Sequence, residues 1–411
     1  MLYWAPASAG VTTIRGQVMD YELTEEQQMI VDTARALAQT KIKKVREHYD
    51  KTEEFPWEIV EELRKADLFG VYIPQEYGGL GGGAMELVLL VEELSKACGG
   101  IALCMAATAL GAYPIMLYGT DEQKKKYLPD IASGKRLAAF TITEPEAGSD
   151  ATAAKATAKL EGNHYVLNGT KCFCSNGKAA EIYSLFFSTN PSRGARGVSC
   201  FVVEKGTPGF EFGRKEEKMG IRANWTYQLE FNNCKVPKEN LIGGEGRGLL
   251  IAQTTFDVSR PGVAAQALGI ATGAMDEAFA YARVRRQFGQ PVISFQAMQH
   301  KLAQMAMEIE AARALLYAVT RAIQKGMANG NARYTKESAM VKCFCSDVAM
   351  RATTEAVQMC GGIGFMHDFP VEKFMRDAKI TQIYEGTNEI QRNEIAMHMI
   401  KEAARAGVGK K

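Results

Sequence analysis

The rhythm of apolar and polar positions changes twice along the chain. From Thr24 to about residue 137 it is helical. TEEQ at 24–27 and TDEQ at 120–123 each set a hydroxyl three residues before a Gln, the reciprocal pattern that satisfies the first free N–H groups of a helix. Between them, WEIVEELRKADL (57–68) and MELVLLVEELSKA (85–97) repeat apolar residues three and four apart. From about 138 to 248 the runs shorten and become β-branched or aromatic: IYSLFFST, GVSCFVVEKG and YQLEF, each bounded by turn residues. YVLNGTKCF carries Asn168-Gly169, a strong hairpin-turn signal. After Gly248 the helical period returns. Over 294–326, Phe295, Met298, Leu302, Met305, Ile309, Ala312, Leu316, Val319 and Ile323 alternate spacings of three and four, a heptad seam that needs partners along its length. Residues 250–284 and 335–360 are comparable amphipathic stretches, so a helical bundle is expected.

These rhythms predict a mostly α chain with a central antiparallel β domain. The expected divisions are a leader at 1–18, an N-terminal helical domain at 19–137, a β domain at 138–248 and a C-terminal helical bundle at 249–411. The leader, MLYWAPASAGVTTIRGQV, has one Arg and no acid. It fits neither a secretory signal nor an Arg-rich transit peptide, and reads as a disordered leader or a cloning scar before Met19. Bacterial cytoplasm is therefore the expected location, with the mitochondrial matrix as the alternative.

Composition narrows the function classes. With 411 residues, 46% hydrophobic, the chain can bury a core without disulfide or metal staples. A formal net charge of +2 with no basic stripe argues against nucleic acid, and no run approaches the roughly 20 apolar residues of a membrane span. Nine scattered cysteines form no C-x-x-C pair, and the five histidines do not join them at zinc spacing, so no metal is expected. Residues 79–84 match G-x-G-x-x-A, but Pro74 breaks the strand such a fingerprint needs, and Cys104 stands near the place of its acid. A glycine loop opening a helix is the expectation there.

Some segments exceed what packing requires. FTITEPEAGSD (140–150) combines Thr143, Ser149 and other hydroxyls with a stiffening Pro and a Gly that admits close approach; it reads as a binding loop or a plain polar one. In KCFCSNG (171–177), strand alternation sets Phe173 and Ser175 on one face, where a ring and a hydroxyl could meet a flat cofactor or simply pack. Arg285 stands where a helix runs out into Phe288-Gly289, and its forked donors suit a phosphate. Gln358 to Gly362 offers a polar side chain and two glycines. Glu385, between Tyr384 and Gly386, is a base or the last residue before a turn.

TEPEAGSD, NGTKCFCSNG, RRQFGQP, QMCGGIGF and VEKFMRDAKITQIYEGTNEIQR, in that order, resemble the acyl-CoA dehydrogenase family over residues 20–405. The resemblance implies that family's fold, an FAD cofactor, a homotetramer, an acyl-CoA substrate and an electron-transfer flavoprotein as electron acceptor. By position, it assigns Thr143, Ser149, Phe173, Ser175, Arg285, Gln287, Phe288, Gln296, Gln358, Gly361, Gly362, Thr387 and Glu389 to FAD. Phe173 replaces a common Trp, and Arg285 is expected to reach a neighbouring subunit's pyrophosphate. Ser149, Asp257, Arg260, Tyr384 and Gly386 fall near the acyl-CoA.

Glu385 falls on the catalytic-base position. The α-proton of a thioester is a very weak acid, so the enolate needs hydrogen bonds as it forms, and a desolvated carboxylate has its proton affinity raised toward working pH. The β-hydrogen is then expected to leave as hydride to flavin N5, giving a trans-2-enoyl-CoA. Isovaleryl and long-chain members carry their Glu at the position of Ser259, which points this chain toward the other groups. The helix IALCMAATALG (101–111) bears no charge, so an uncharged short- to medium-length acyl chain is expected, with Ala106, Ala107 and Ala109 leaving room and Met105 able to fill it. A cyclic or branched substrate, an enoyl-CoA reductase and a non-redox acyl-CoA-binding protein are the rival readings.

Overall fold

The computed structural model describes residues 21–330 and 333–407; the leader expected at 1–18 lies outside them. Six helices come first: α1 (Glu25–Leu37), α2 (Lys43–Thr52), α3 (Trp57–Lys65), α4 (Ala84–Ser95), α5 (Gly99–Tyr118) and α6 (Asp121–Ala132). Both capping boxes form. The Thr24 and Thr120 hydroxyls accept from the N–H groups of Gln27 and Gln123, and each Gln side chain returns the bond. The glycine loop before α4 is packing, since Gly79 lies against Ile73 too closely for any side chain. α5 is long and apolar enough to cross a membrane by composition, yet most of it is buried as a core helix against α4 and the β domain.

Eight strands follow: β1 (Ala138–Thr141), β2 (Thr157–Glu161), β3 (His164–Ser175), β4 (Ile182–Ser188), β5 (Val198–Glu204), β6 (Phe210–Lys215), β7 (Thr226–Pro237) and β8 (Leu241–Ile242). Their order is β6-β7-β3-β2-β4-β5-β8, with β1 alongside β4. The pairing is mainly antiparallel, but β1 runs parallel to β4, and β2 meets β4 in one parallel pair.

Asn168-Gly169 does not turn a hairpin. β3 runs through it, and the chain reverses at Gly162-Asn163, between the paired Glu161 and His164. Gly169, at φ +131°, instead sits at a register skip against β7. A Cβ there would meet that of Ala156 at 2.6 Å, and Asn168 Oδ1 accepts the N–H of Asn233 at 2.8 Å. The dipeptide's freedom at positive φ is used for a bulge.

The last part holds α7 (Gly248–Val284), the small hairpin β9 (Arg286–Gln287) and β10 (Gln290–Pro291), then α8 (Gln296–Ala328), α9 (Thr335–Cys360), α10 (Val371–Thr381) and α11 (Asn388–Arg405). α7 runs through the centre, touching α4, α5, α9 and α10. The heptad seam is α8. It is buried from Met305 to Ile323, while Phe295, Met298 and Leu302 stay half-exposed. Arg313 of α8 donates to buried Glu92 of α4 at 2.9 Å, tying the first helices to the bundle.

Candidate active site

The turn between α10 and α11 carries Glu385. Glu385 and Gly386 both have positive φ, +52° and +98°. Glycine takes that conformation freely; for a glutamate it is uncommon and has to be held by its surroundings. Thr387 then caps α11 by accepting the N–H of Ile390. Three helices supply donors to the turn. Arg260 Nε of α7 reaches the Glu385 carbonyl at 3.2 Å, and Gln391 of α11 donates to both turn carbonyls. Lys342 Nζ of α9 reaches the Gly386 carbonyl at 2.7 Å.

The Glu385 carboxyl accepts from Ser259 Oγ of α7 at 2.6 Å. Although the residue keeps some open surface, packing around the carboxyl raises its proton affinity. The Ser259 hydrogen bond, then the Arg260 and Lys342 charges, oppose that rise. Tyr384 donates to Gln266 Oε1, and burial pushes its phenol well above the ordinary value. A buried carboxyl poised this way can exchange a proton with a bound molecule. Sequence reasoning set Ser259 aside because it is no base; the aligned position is nevertheless the one that touches the base. Lys342 was missed, its only signal being a lone cation in the apolar run AMVKCFCS.

Asp257 and Arg260 lie one helical turn apart on α7. Burial pushes Asp257 up to about 6, against the Thr335 hydroxyl that donates to its Oδ2 at 2.8 Å. Its other oxygen has no partner among the described residues. Beside it opens a cavity of about 450 Å³ bordered by Arg333, Lys336, His398 and Lys401 and by the carboxyls of Glu337, Glu394 and Glu402.

The β-domain segments meet each other. Cys172 N–H donates to the Thr143 carbonyl at 2.9 Å, and buried Lys171 reaches buried Glu144 at 2.6 Å, pinning the TEPEAGSD loop to β3. The ladder is interrupted at Phe173, which takes φ +57° at a second register skip, yet the alternation in burial survives, with Cys172 and Cys174 inside. The bulge leaves the ring 62% exposed, with Cys174 buried and Ser175 half-buried. No hydrogen bond occupies the hydroxyls of Thr143, Ser149 or Ser175 among the described residues. An open ring beside free hydroxyls fits the flat, polar-edged ring system of FAD.

A third group is separate. Arg285 caps the end of α7, and Phe288-Gly289 (φ +50° and +78°) turns the β9–β10 hairpin with Phe288 93% exposed. The Arg285 guanidinium makes no hydrogen bond or ion pair among the described residues. Gln287 and Gln296 are exposed on the same hairpin and at the start of α8, and Gln358 is exposed near the end of α9. Around Gly361 and Gly362 nothing lies within 4 Å of where a side chain would begin. That open cradle and unpaired cation also fit a phosphate-bearing cofactor. Glu389 is exposed in the first turn of α11. No hydrogen bond or ion pair joins the hairpin or the Gly361 turn to the Glu385 cluster among the described residues.

The face of α5 toward Tyr384 is apolar. Leu103 and Ala107 cluster with Ile221, and Ala106, Ile380 and Tyr384 pack against them. Met105 and Ala109 sit in the main core instead. One helical face carries 103, 106 and 107, so Met105 cannot fill a pocket there.

Together, the three-part fold and the enclosed carboxyl place an acid–base group beside an apolar patch. Family models for the N-terminal, middle and C-terminal domains of acyl-CoA dehydrogenase match residues 24–135, 139–234 and 246–400. The acryloyl-CoA reductase (NADH) of Anaerotignum propionicum is 45% identical over 93% of this chain and 96% of its own. The solved butyryl-CoA dehydrogenase of Megasphaera elsdenii matches with a TM-score of 0.89 at 43% identity, over 93% of this chain and all of that one. A chain solved in work on the electron transferring flavoprotein of Acidaminococcus fermentans matches with a TM-score of 0.90 at 47% identity, with the same coverage. The chain belongs to the acyl-CoA dehydrogenase family. It is an FAD-dependent enzyme of acyl-CoA dehydrogenation.

Proposed function

We propose that the substrate is a short- to medium-chain acyl-CoA with an uncharged acyl group, and that Glu385 removes its α-proton. The observation that carries this reading is the Glu385 carboxyl, enclosed, raised in proton affinity and next to the apolar patch of Leu103, Ala107 and Tyr384. An acyl chain on that patch brings its α-carbon toward the carboxyl, and no cation on the α5 face would welcome a distal carboxylate. Arg333, Lys336 and Lys401 around the cavity beside Asp257, which share it with three carboxyls, would meet the CoA phosphates. Thr143, Ser149, Phe173, Ser175, Arg285, Gln287, Phe288, Gln296, Gln358, Gly361, Gly362, Thr387 and Glu389 would hold FAD. When bound, FAD supplies the two-electron acceptor for the β-position. Glu385 holds the abstracted proton, while Ser259, Arg260 and the turn donors keep its carboxylate aimed.

An electron-transfer flavoprotein is the proposed acceptor, supported by the Acidaminococcus match. Bacterial cytoplasm is the proposed location, since these relatives come from bacteria. A second reading, an enoyl-CoA reductase on the same site, is favoured by the likeness to acryloyl-CoA reductase. Anaerobic titration with butyryl-CoA, read in the visible flavin band, separates them. Bleaching with a long-wavelength charge-transfer band supports dehydrogenation. Higher kcat/KM for glutaryl-CoA than for butyryl-CoA would remove the uncharged-pocket reading, and oxidation of the reduced enzyme by an enoyl-CoA faster than its reduction by butyryl-CoA would favour the reductase.

A further inference from the structure

The base turn holds a glutamate at positive φ, and backbone in that region persists only where neighbours over-determine it. Its carbonyls are bound by Arg260 and Gln391, but one further donor is a fully buried ammonium. Lys342 Nζ reaches the Gly386 carbonyl at 2.7 Å and Asn388 Oδ1 at 2.9 Å, so it grips both ends of the short segment that follows Glu385. Asn388 is fixed in turn: its amide donates to Ser346 Oγ at 2.9 Å and Asp347 Oδ1 at 2.8 Å, both on the helix that bears Lys342. A buried cation is costly unless something requires it. The titratable groups around it are Glu385 of the turn, Arg260 of α7, and Cys343 and Asp347 of α9, the Cys343 thiol held neutral by burial.

We infer that Lys342 is the positioning residue of the base. Its ammonium clamps the 385–388 turn from α9, aims the Glu385 carboxylate and keeps it ionised. This rests on the reading of Glu385 as base only for its catalytic consequence; the clamp and its charge stand on the geometry alone. Burial pushes Lys342 down to about 7, while the Glu385 charge and two accepting oxygens hold the proton on it. Removing the cation removes a charge that favours the carboxylate, so Glu385 must bind its proton at higher pH.

The test uses the FAD-loaded enzyme with Lys342→Gln, which keeps a donor without charge, Lys342→Met, which keeps neither, and Lys342→Arg, which keeps both. An infrared pH titration reads the Glu385 carboxyl directly, its band assigned as the one absent from Glu385→Gln. The expected result is a Glu385 titration shifted up by about one pH unit in the Gln and Met variants and little changed in the Arg variant. The acid limb of kcat with butyryl-CoA should follow the same shift, and the Met variant should lose a further ~10- to 100-fold in kcat through misaiming. An unshifted titration in Lys342→Gln overturns the inference. If only the Met variant fails to fold, the Gln and Arg pair decides; if all three fail, Lys342 is core scaffold and the inference falls. Full turnover by Glu385→Gln would sink the base reading separately, leaving the titration to judge the clamp.

Discussion

At the scale of single residues, Glu385 concentrates opposing forces. Burial drives its proton affinity up, and Ser259, Arg260 and Lys342 draw it back. Glu385→Gln keeps the shape and the backbone contacts but cannot accept a proton. We expect it to retain FAD and bind butyryl-CoA while kcat falls about 10²- to 10⁴-fold. Unchanged kcat in stopped-flow reduction would place the base elsewhere. Asp257 gives a prediction about stability. Its folded proton affinity, about 6 against an ordinary 3.8, means that the fold disfavours the ionised form relative to the unfolded chain. Its contribution is therefore most favourable below about 3.8, and it is lost as pH rises through about 6. Asp257→Asn removes the buried charge, so its Tm gain over the parent should be larger at pH 8 than at pH 5. Equal gains at both values would show that Asp257 is not held protonated. The sequence made Glu385 legible because Tyr-Glu-Gly before a helix is an odd place for an acid. Ser259 and Lys342 carried no such oddity, since their roles arise from helices that meet the turn only in three dimensions.

Elements differ in how much of them local pattern dictates. The capping boxes, the α8 seam and strands β4, β5 and the first half of β7 follow from periodicity and turn residues, because each is decided within its own window. β1, β2, β6 and β8 are short or polar and take their form from neighbours across the sheet. Asn168-Gly169 misled for the same reason. The dipeptide encodes positive φ, which a hairpin and a bulge both use, and only the packing of Ala156 against Gly169 selects the bulge. The end of α7 is a case where sequence and geometry coincide. Arg285 leaves the helix with its guanidinium unpaired, so its replacement removes no side-chain hydrogen bond or ion pair among the described residues. Arg285→Ala should leave Tm of the apoprotein within about 1 °C, given that surface substitutions away from contacts change stability by roughly ±0.5 kcal/mol. Flavin retention after gel filtration should fall. A variant that holds FAD as tightly as the parent would detach Arg285 from the cofactor.

The whole molecule leaves an uneven surface. Phe288, Phe365 and Phe173 are 93, 78 and 62% exposed, each beside residues that fit FAD. Phe295, Met298 and Leu302 continue the α8 seam onto the same side as the Phe288 hairpin, half-covered. A heptad seam that loses its partner part-way invites a helix from another copy. The cofactor could cover Phe173 from within the chain, because Thr143, Ser175 and that ring share one edge of the β domain. Among the described residues, no hydrogen bond or ion pair joins that edge to Arg285 or to the Gly361 turn. We propose, as the family resemblance implies for Arg285, that FAD lies between copies, with one chain's ring-binding edge facing another's hairpin. If the homotetramer that the resemblance implies forms, light scattering of the FAD-loaded enzyme should give four chains per particle, and Met298→Glu in the half-covered seam should lower that number and loosen FAD together. Loss of assembly with FAD held as before would mean that each chain closes its own cofactor site, and the hairpin would then need to fold back onto its own β domain.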